Sequence, residues 1–139
     1  MASPLRVRVD FSDFFAGLKL HKKLIIRKST LVATMTAEMI KGIARQKAPI
    51  DRGGLRASIV VRNVGTLIAQ VVVTSPYANY IEYGTGIYAE NGQGRRTPWI
   101  YHHYRYGFVK TRGQRPQPFM RPAETLVRSM LPAIIRKVL

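Results

Sequence analysis

The 139 residues, 46% hydrophobic and 22% charged, suffice for about one hydrophobic core and fall outside the disordered class. With 23 Lys and Arg against 7 Asp and Glu, the chain carries +16, a field suited to nucleic acid, an anionic membrane surface or acidic proteins. The lack of cysteine excludes disulfides and thiolate sites, and no apolar run approaches the ~18 residues of a membrane span, so neither a signal peptide nor a membrane helix is expected.

In chain order, no element is assigned to the charged N-terminal segment Met1 to Asp10. Leu18, Ile25, Val32 and Met39 then recur every seven residues, with Phe11, Phe14, Phe15, Met35 and Ile43 on or near the same stripe, which predicts amphipathic helix over residues 11–47. The basic cluster from Leu20 to Lys28 interrupts that stripe, so a short helix near Ser12 to Leu18 and a longer one ending near Lys47 are expected. Pro49 enforces the stop, because a proline pushes the residue before it out of helical geometry.

Asp51-Arg52-Gly53-Gly54 is turn chemistry. Ala57 to Asn63 and Leu67 to Thr74, rich in Val and Ile, predict a hairpin over residues 56–74 with its turn at Asn63 to Thr66. Tyr77 to Tyr83 spaces its aromatics by three, which fits a short helix that Gly84 stops. Residues 86–96 are polar and glycine-containing, a surface loop. Residues 97–111 are crowded with Trp99, Tyr101, Tyr104, Tyr106 and Phe108 beside His102 and His103, and predict two strands with a tight reversal. Helical spacing returns over residues 119–139 through Leu126, Met130 and Ile134; Pro122 suits a first turn, and Pro132 is expected to kink or split the helix. The order helix, hairpin, hairpin, helix gives an α+β fold in a single domain, with N-terminal helices, antiparallel hairpins forming a small sheet, and a C-terminal helix.

The inventory for catalysis is thin. His21, His102 and His103 are the only imidazoles, and neighbours on a strand point to opposite faces, so no metal site, cofactor or catalytic group is expected. Gly84-Thr85-Gly86 imitates part of a dinucleotide fingerprint, but that motif requires a following helix and a polar loop follows here. Arg105 to Lys110 nearly reads as an RNA-stacking strand, yet the long helical segment at the start does not fit that module. The aromatics are expected to fill a core or a subunit interface. The basic helix with Lys19, Lys22, Lys23, Arg27 and Lys28 could lie on a membrane, but packing is preferred, because the hairpin needs an apolar cover; no membrane partner is expected.

Three stretches in order give a resemblance. Ala48-Pro49-Ile50-Asp51, with Gly53, Leu55-Arg56 and Ser58-Ile59, is similar to the pattern A-P-V-D-T-G-x-L-R-x-S-I; Tyr77-Ala78 with Tyr80-Ile81-Glu82-Tyr83-Gly84-Thr85 is similar to Y-A-x-Y-V-E-F-G-T; and Pro118-Phe119-Met120-Arg121-Pro122-Ala123 is similar to P-F-x-x-P-A. Together they resemble the tail-component or neck family found between portal and tail in lambda-like siphophages, over most of the chain. Arg52 replaces the pattern's threonine, and the stretch from Gly86 to Gln117 is longer, more aromatic and more basic than the family's.

The resemblance implies a non-catalytic virion protein, made in the host cytoplasm. It would form a ring, a hexamer, around the DNA conduit, and act in head-to-tail joining or tail completion. Six copies would carry +96 against roughly 24 phosphates in a layer about 40 Å thick, so only some basic residues can face packaged DNA, nonspecifically. The rest are expected to meet acidic surfaces of adjoining neck and tail proteins, with Arg95, Arg96, Arg112 and Arg115 as candidate contacts on loops. Asp51 and Glu82, scarce acids in a basic chain, are expected to neutralise arginines such as Arg52 or Arg56. The alternative is a free basic nucleic-acid-binding module.

Overall fold

The computed structural model describes residues 4–12, 22–50 and 53–139. The short helix expected from Ser12 to Leu18 falls, beyond Ser12, outside the described residues, as do Asp51 and Arg52.

The described chain begins with a strand that the sequence analysis left out. β1 (Leu5–Asp10) alternates half-buried or buried Leu5, Val7 and Val9 with exposed Arg6, Arg8 and Asp10, the period of two that a sheet with one solvated face requires. Its charges mask the pattern, because they are the outward half of the alternation. α1 (Lys22–Lys47) follows and stops two residues before Pro49. A single turn, α2 (Gly54–Ala57), which was not anticipated, leads into β2 (Ile59–Gly65) and β3 (Ile68–Val73).

All pairings are antiparallel, in the order β1-β3-β2. The central position of β3 explains its composition, since Ala69, Val71, Val72 and Val73 are all buried. The hairpin turn falls at Thr66-Leu67, later than expected, because Val64 and Gly65 extend β2 past an irregularity between Asn63 and Gly65. Leu67 adopts a left-handed φ of 67°, unfavourable for leucine, and burial of its side chain with a hydrogen bond from its N–H to Thr30 Oγ1 (3.3 Å) holds it there.

α1 covers the sheet, packing on β2 and β3, and also packs against the C-terminal helix α4 (Met120–Val138). Ala33, Ala37, Ile40 and Ala44 are its buried line; three alanines let the backbones approach closely. The expected stripe is displaced. Val32 is buried and Ile25 and Met39 are half-buried, but Met35 is exposed, because it stands about 60° around the helix from Val32, on the side away from the line of Ala33, Ala37, Ile40 and Ala44. Phe119, Met120, Ala123 and Val127 complete this core.

α3 (Ala78–Tyr83) ends at Gly84, as the spacing predicts, and a 3-10 turn at Gly86–Tyr88 opens the polar loop. β4 (Trp99–His103) and β5 (Gly107–Thr111) form a separate two-stranded sheet. α4 carries Pro122 in its first turn and runs through Pro132 as one element. The expected split does not occur: Pro132 is exposed, where water can satisfy the carbonyl its ring leaves unbonded. The architecture is α+β.

Candidate interaction surface

The second and third motifs meet in one buried polar knot. Glu82, on α3, is completely buried, and its carboxylate sits at the start of α4, where helical N–H groups lack intrahelical partners. Its Oε2 accepts the N–H of Phe119 (2.8 Å) and of Met120 (3.0 Å), while Oε1 accepts the N–H of Arg121 (2.9 Å) and its Nε (3.0 Å). The negative charge is favoured both by those amides and by the helix dipole.

The Arg121 guanidinium extends the knot to the loop. Its two terminal nitrogens pair with both carboxylate oxygens of Glu90 at 2.9 Å, a fork that matches guanidinium geometry, and one also donates to the Glu82 carbonyl at 3.0 Å. The group lies 4.6 Å from the centre of the Tyr83 ring. The Glu90 bonds, followed by those to Glu82, hold Arg121 still more firmly protonated than a free arginine. In return, the hydrogen bond from Arg121 keeps the Glu90 carboxyl below its usual range. The expected pairing of Glu82 with Arg56 is corrected: Arg56 donates through Nε and a terminal nitrogen to the Ala48 carbonyl (3.3 and 3.2 Å), tying down the end of α1.

Gly84-Thr85-Gly86 has a structural task of its own. Thr85 N–H donates to the Gln114 carbonyl and Thr85 Oγ1 accepts from Gln114 N–H, both at 2.9 Å, while Ile87 N–H donates to the Arg112 carbonyl at 3.1 Å. A Cβ on Gly86 would lie 2.0 Å from the Arg112 carbonyl oxygen, and one on Gly113 would lie 2.1 Å from that of Thr85. Only glycines allow this approach, which joins the 84–88 segment to the chain leaving β5.

Of the other motif residues, Ala78 and Phe119 are buried, Pro49, Gly53, Leu55 and Pro122 half-buried, and Tyr77, Tyr80 and Pro118 exposed. An open groove beside them is lined by Tyr77, Tyr80, Tyr83, Trp99, Tyr101 and His103 among others, and among the described residues that line it only Glu90 and Arg95 are charged.

The aromatic hairpin does not fill a core. Phe108, Tyr106 and Ile100 are 80, 70 and 66% exposed, and β4 and β5 make no extensive packing with another helix or strand among the described residues. A core had been one of two expected destinations; α1, α4 and the three-stranded sheet saturate one another and leave no apolar partner for these rings. The pairings Ile100↔Lys110 and His102↔Phe108 place these four on one face, while Trp99, Tyr101, His103 and Val109 share the other. The tip is ordered by His103, whose Nδ1 accepts from the N–H groups of Arg105 (3.0 Å) and Tyr106 (3.3 Å) and whose ring stacks on Tyr104 and Tyr106.

Arg95, Arg96, Arg112 and Arg115 are all exposed where the chain enters and leaves this hairpin. Arg95 lies 5.6 Å from the Trp99 ring centre and Arg115 5.1 Å from that of Tyr88. Sequence reasoning missed Arg121 and Glu90, since the knot joins residues more than 30 positions apart and no local pattern marks either.

These features define a small, basic α+β protein whose distinctive residues hold backbone segments together and whose apolar surplus faces outward. Residues 16–84 match the family model described as "Bacteriophage HK97-gp10, putative tail-component". The chain belongs to this phage family and is a tail-related structural protein associated with the virion. The matched segment holds the first motif and the second as far as Gly84, and the third lies beyond it. No curated protein and no solved structure matches the chain.

Proposed function

We propose that the protein forms a homo-oligomeric ring, a hexamer, in the neck or head-proximal tail of a long-tailed phage, where it joins head to tail or completes the tail around the DNA conduit without catalysing a reaction. The observation that carries this reading is a second apolar face on α1. Leu24 and Leu31 are 55 and 52% exposed and Met35 is 39% exposed. At about 100° per residue these three fall within roughly 40° of one another, opposite the buried Ala33, Ala37, Ile40 and Ala44. Exposed apolar side chains aligned on the outside of a packed helix give a lone monomer nothing, whereas a neighbouring copy can cover them.

Adjoining neck and tail proteins would contact the flanking loops, and packaged DNA would meet lysines and arginines nonspecifically, which suits a duplex that must slide during packaging and ejection. Assembly would occur in the host cytoplasm. Electron microscopy of purified protein, and of virions carrying a tag on this chain, tests the reading: a ring, with the tag at the neck or upper tail, is expected. Monomers at every concentration, or complete virions without the chain, would sink it.

The net charge of +16 favours one other reading, a free nucleic-acid-binding module. That reading requires tight, saturable DNA binding by the monomer, with a salt slope equal to several released ions. Weak binding before assembly is expected instead.

A further inference from the structure

Phe108 is the most exposed large hydrophobic residue described, and it shares an outward strand face with Ile100 and Lys110. From Asn91 to Met120 the chain has no Asp or Glu, while Arg95, Arg96, Arg105, Lys110, Arg112 and Arg115 fall in that stretch. The hairpin is thus an arm with an apolar outer face in a cationic frame. A two-stranded sheet is marginal alone, and among the described residues no third strand pairs with either edge of this one.

Three occupants are conceivable, and charge separates them. A second copy is a poor receptor: every acid with a described side chain is already ion-paired within its own chain, Asp10 with Arg8, Glu38 with Lys41, Glu82 and Glu90 with Arg121, and Glu124 with Arg128. Bringing the cationic arm onto a chain of +16 therefore costs repulsion with no unpaired Asp or Glu side chain among the described residues to offset it. Duplex DNA would satisfy the arginines, but its phosphates offer nothing to Phe108, Tyr106 and Ile100, whose exposure is relieved only by apolar burial. A different protein, with an apolar recess bordered by carboxylates, satisfies both halves of the arm.

We propose that the β4–β5 hairpin is a docking arm for an acidic protein other than this chain, with Phe108 as the anchor that enters an apolar recess and Arg105 and Lys110 meeting carboxylates at its rim. The arm is separate from the α1 stripe assigned to self-association, so one protomer would hold copies of itself through α1 and a neighbour of different sequence through the hairpin. The inference rests on the virion reading above.

The test places the photo-crosslinker p-benzoylphenylalanine at Phe108 (Phe108→p-benzoylphenylalanine) in phage particles, with irradiation and mass spectrometry of the adducts. The expected product joins this chain to an acidic virion polypeptide. The variant Lys110→Glu should lower that adduct's yield, and Phe108→Ala should weaken the interaction of the two isolated proteins by about 30-fold or more, as for a central aromatic anchor. Because Phe108 is so exposed, an unchanged thermal melt of Phe108→Ala certifies the fold. Adducts only to copies of this chain, only to DNA, or none in particles that contain the chain, would overturn the docking arm and leave the virion reading standing. Particles that lack the chain would overturn both.

Discussion

Glu82 and Arg121, 39 residues apart in the chain, meet at 3.0 Å with the carboxylate wholly buried and the guanidinium partly open to solvent. The contact fixes the N-terminus of α4 to α3, and through Glu90 it fixes the loop that follows. A buried carboxylate is tolerable only because four donors converge on it, so its removal leaves donors unmatched in a dry site.

Glu82→Gln should therefore destabilise the fold by roughly 3–5 kcal/mol, since an amide NH₂ would confront N–H donors where an oxygen now accepts. Chemical denaturation reads this directly. An unchanged unfolding midpoint, together with normal assembly, would contradict the structural role of the knot.

The glycines offer an internal control. Gly86→Ala forces a methyl group onto the Arg112 carbonyl at φ 61° and should cost about 3 kcal/mol or more, with faster proteolysis near residues 86–96. Gly92→Ala, at φ 71° but with open space around the new carbon, should cost only about 1 kcal/mol. Equal losses would show that backbone strain, and not the close approach, governs both sites.

The Glu90–Arg121 fork should be visible in the acid limb of stability. The folded Glu90 carboxyl titrates below its ordinary value of 4.5, so its contribution is fully present above that pH and is lost as pH falls through the depressed value. Thermal melts of wild type and Glu90→Gln should thus differ at neutral pH and converge in acid, with the gap shrinking in high salt. Asp10, lowered by its bonds from Ser12 and by Arg8, adds a separate acid-sensitive contribution common to both proteins. A gap that widens below pH 4 would be the wrong sign.

Substitutions on the two faces of α1 should separate folding from assembly. Ala37→Leu, at a fully buried position between the sheet and α4, should destabilise by about 1–3 kcal/mol through overpacking. Leu31→Glu, on the outer stripe, should leave the monomer's stability within about 0.5 kcal/mol yet shift the oligomer toward monomer in sedimentation. Retained oligomers would remove α1 from the subunit interface.

Reversing the charge of Arg95, Arg96, Arg112 and Arg115 should leave secondary structure intact by circular dichroism, because all four are exposed, and should lower the yield of infectious particles. Undiminished yield would argue against their contact with neighbouring proteins.

The local features of this chain were legible because their causes are local. Pro49 ends α1, Gly84 ends α3, runs of Val and Ile make β2 and β3, and alternating aromatics make β4 and β5, each within a few residues of its signal. Even β1 was written in the alternation of Leu5 to Asp10, although its charges masked it. What only the tertiary structure decided was partnership. It gave Glu82 to Arg121 instead of Arg56, turned Met35 outward and Ala37 inward, and left Phe108 uncovered while Phe119 was buried. Burial and ion pairing are properties of the surfaces brought together, and a residue's own type and spacing carry no record of what will lie opposite it.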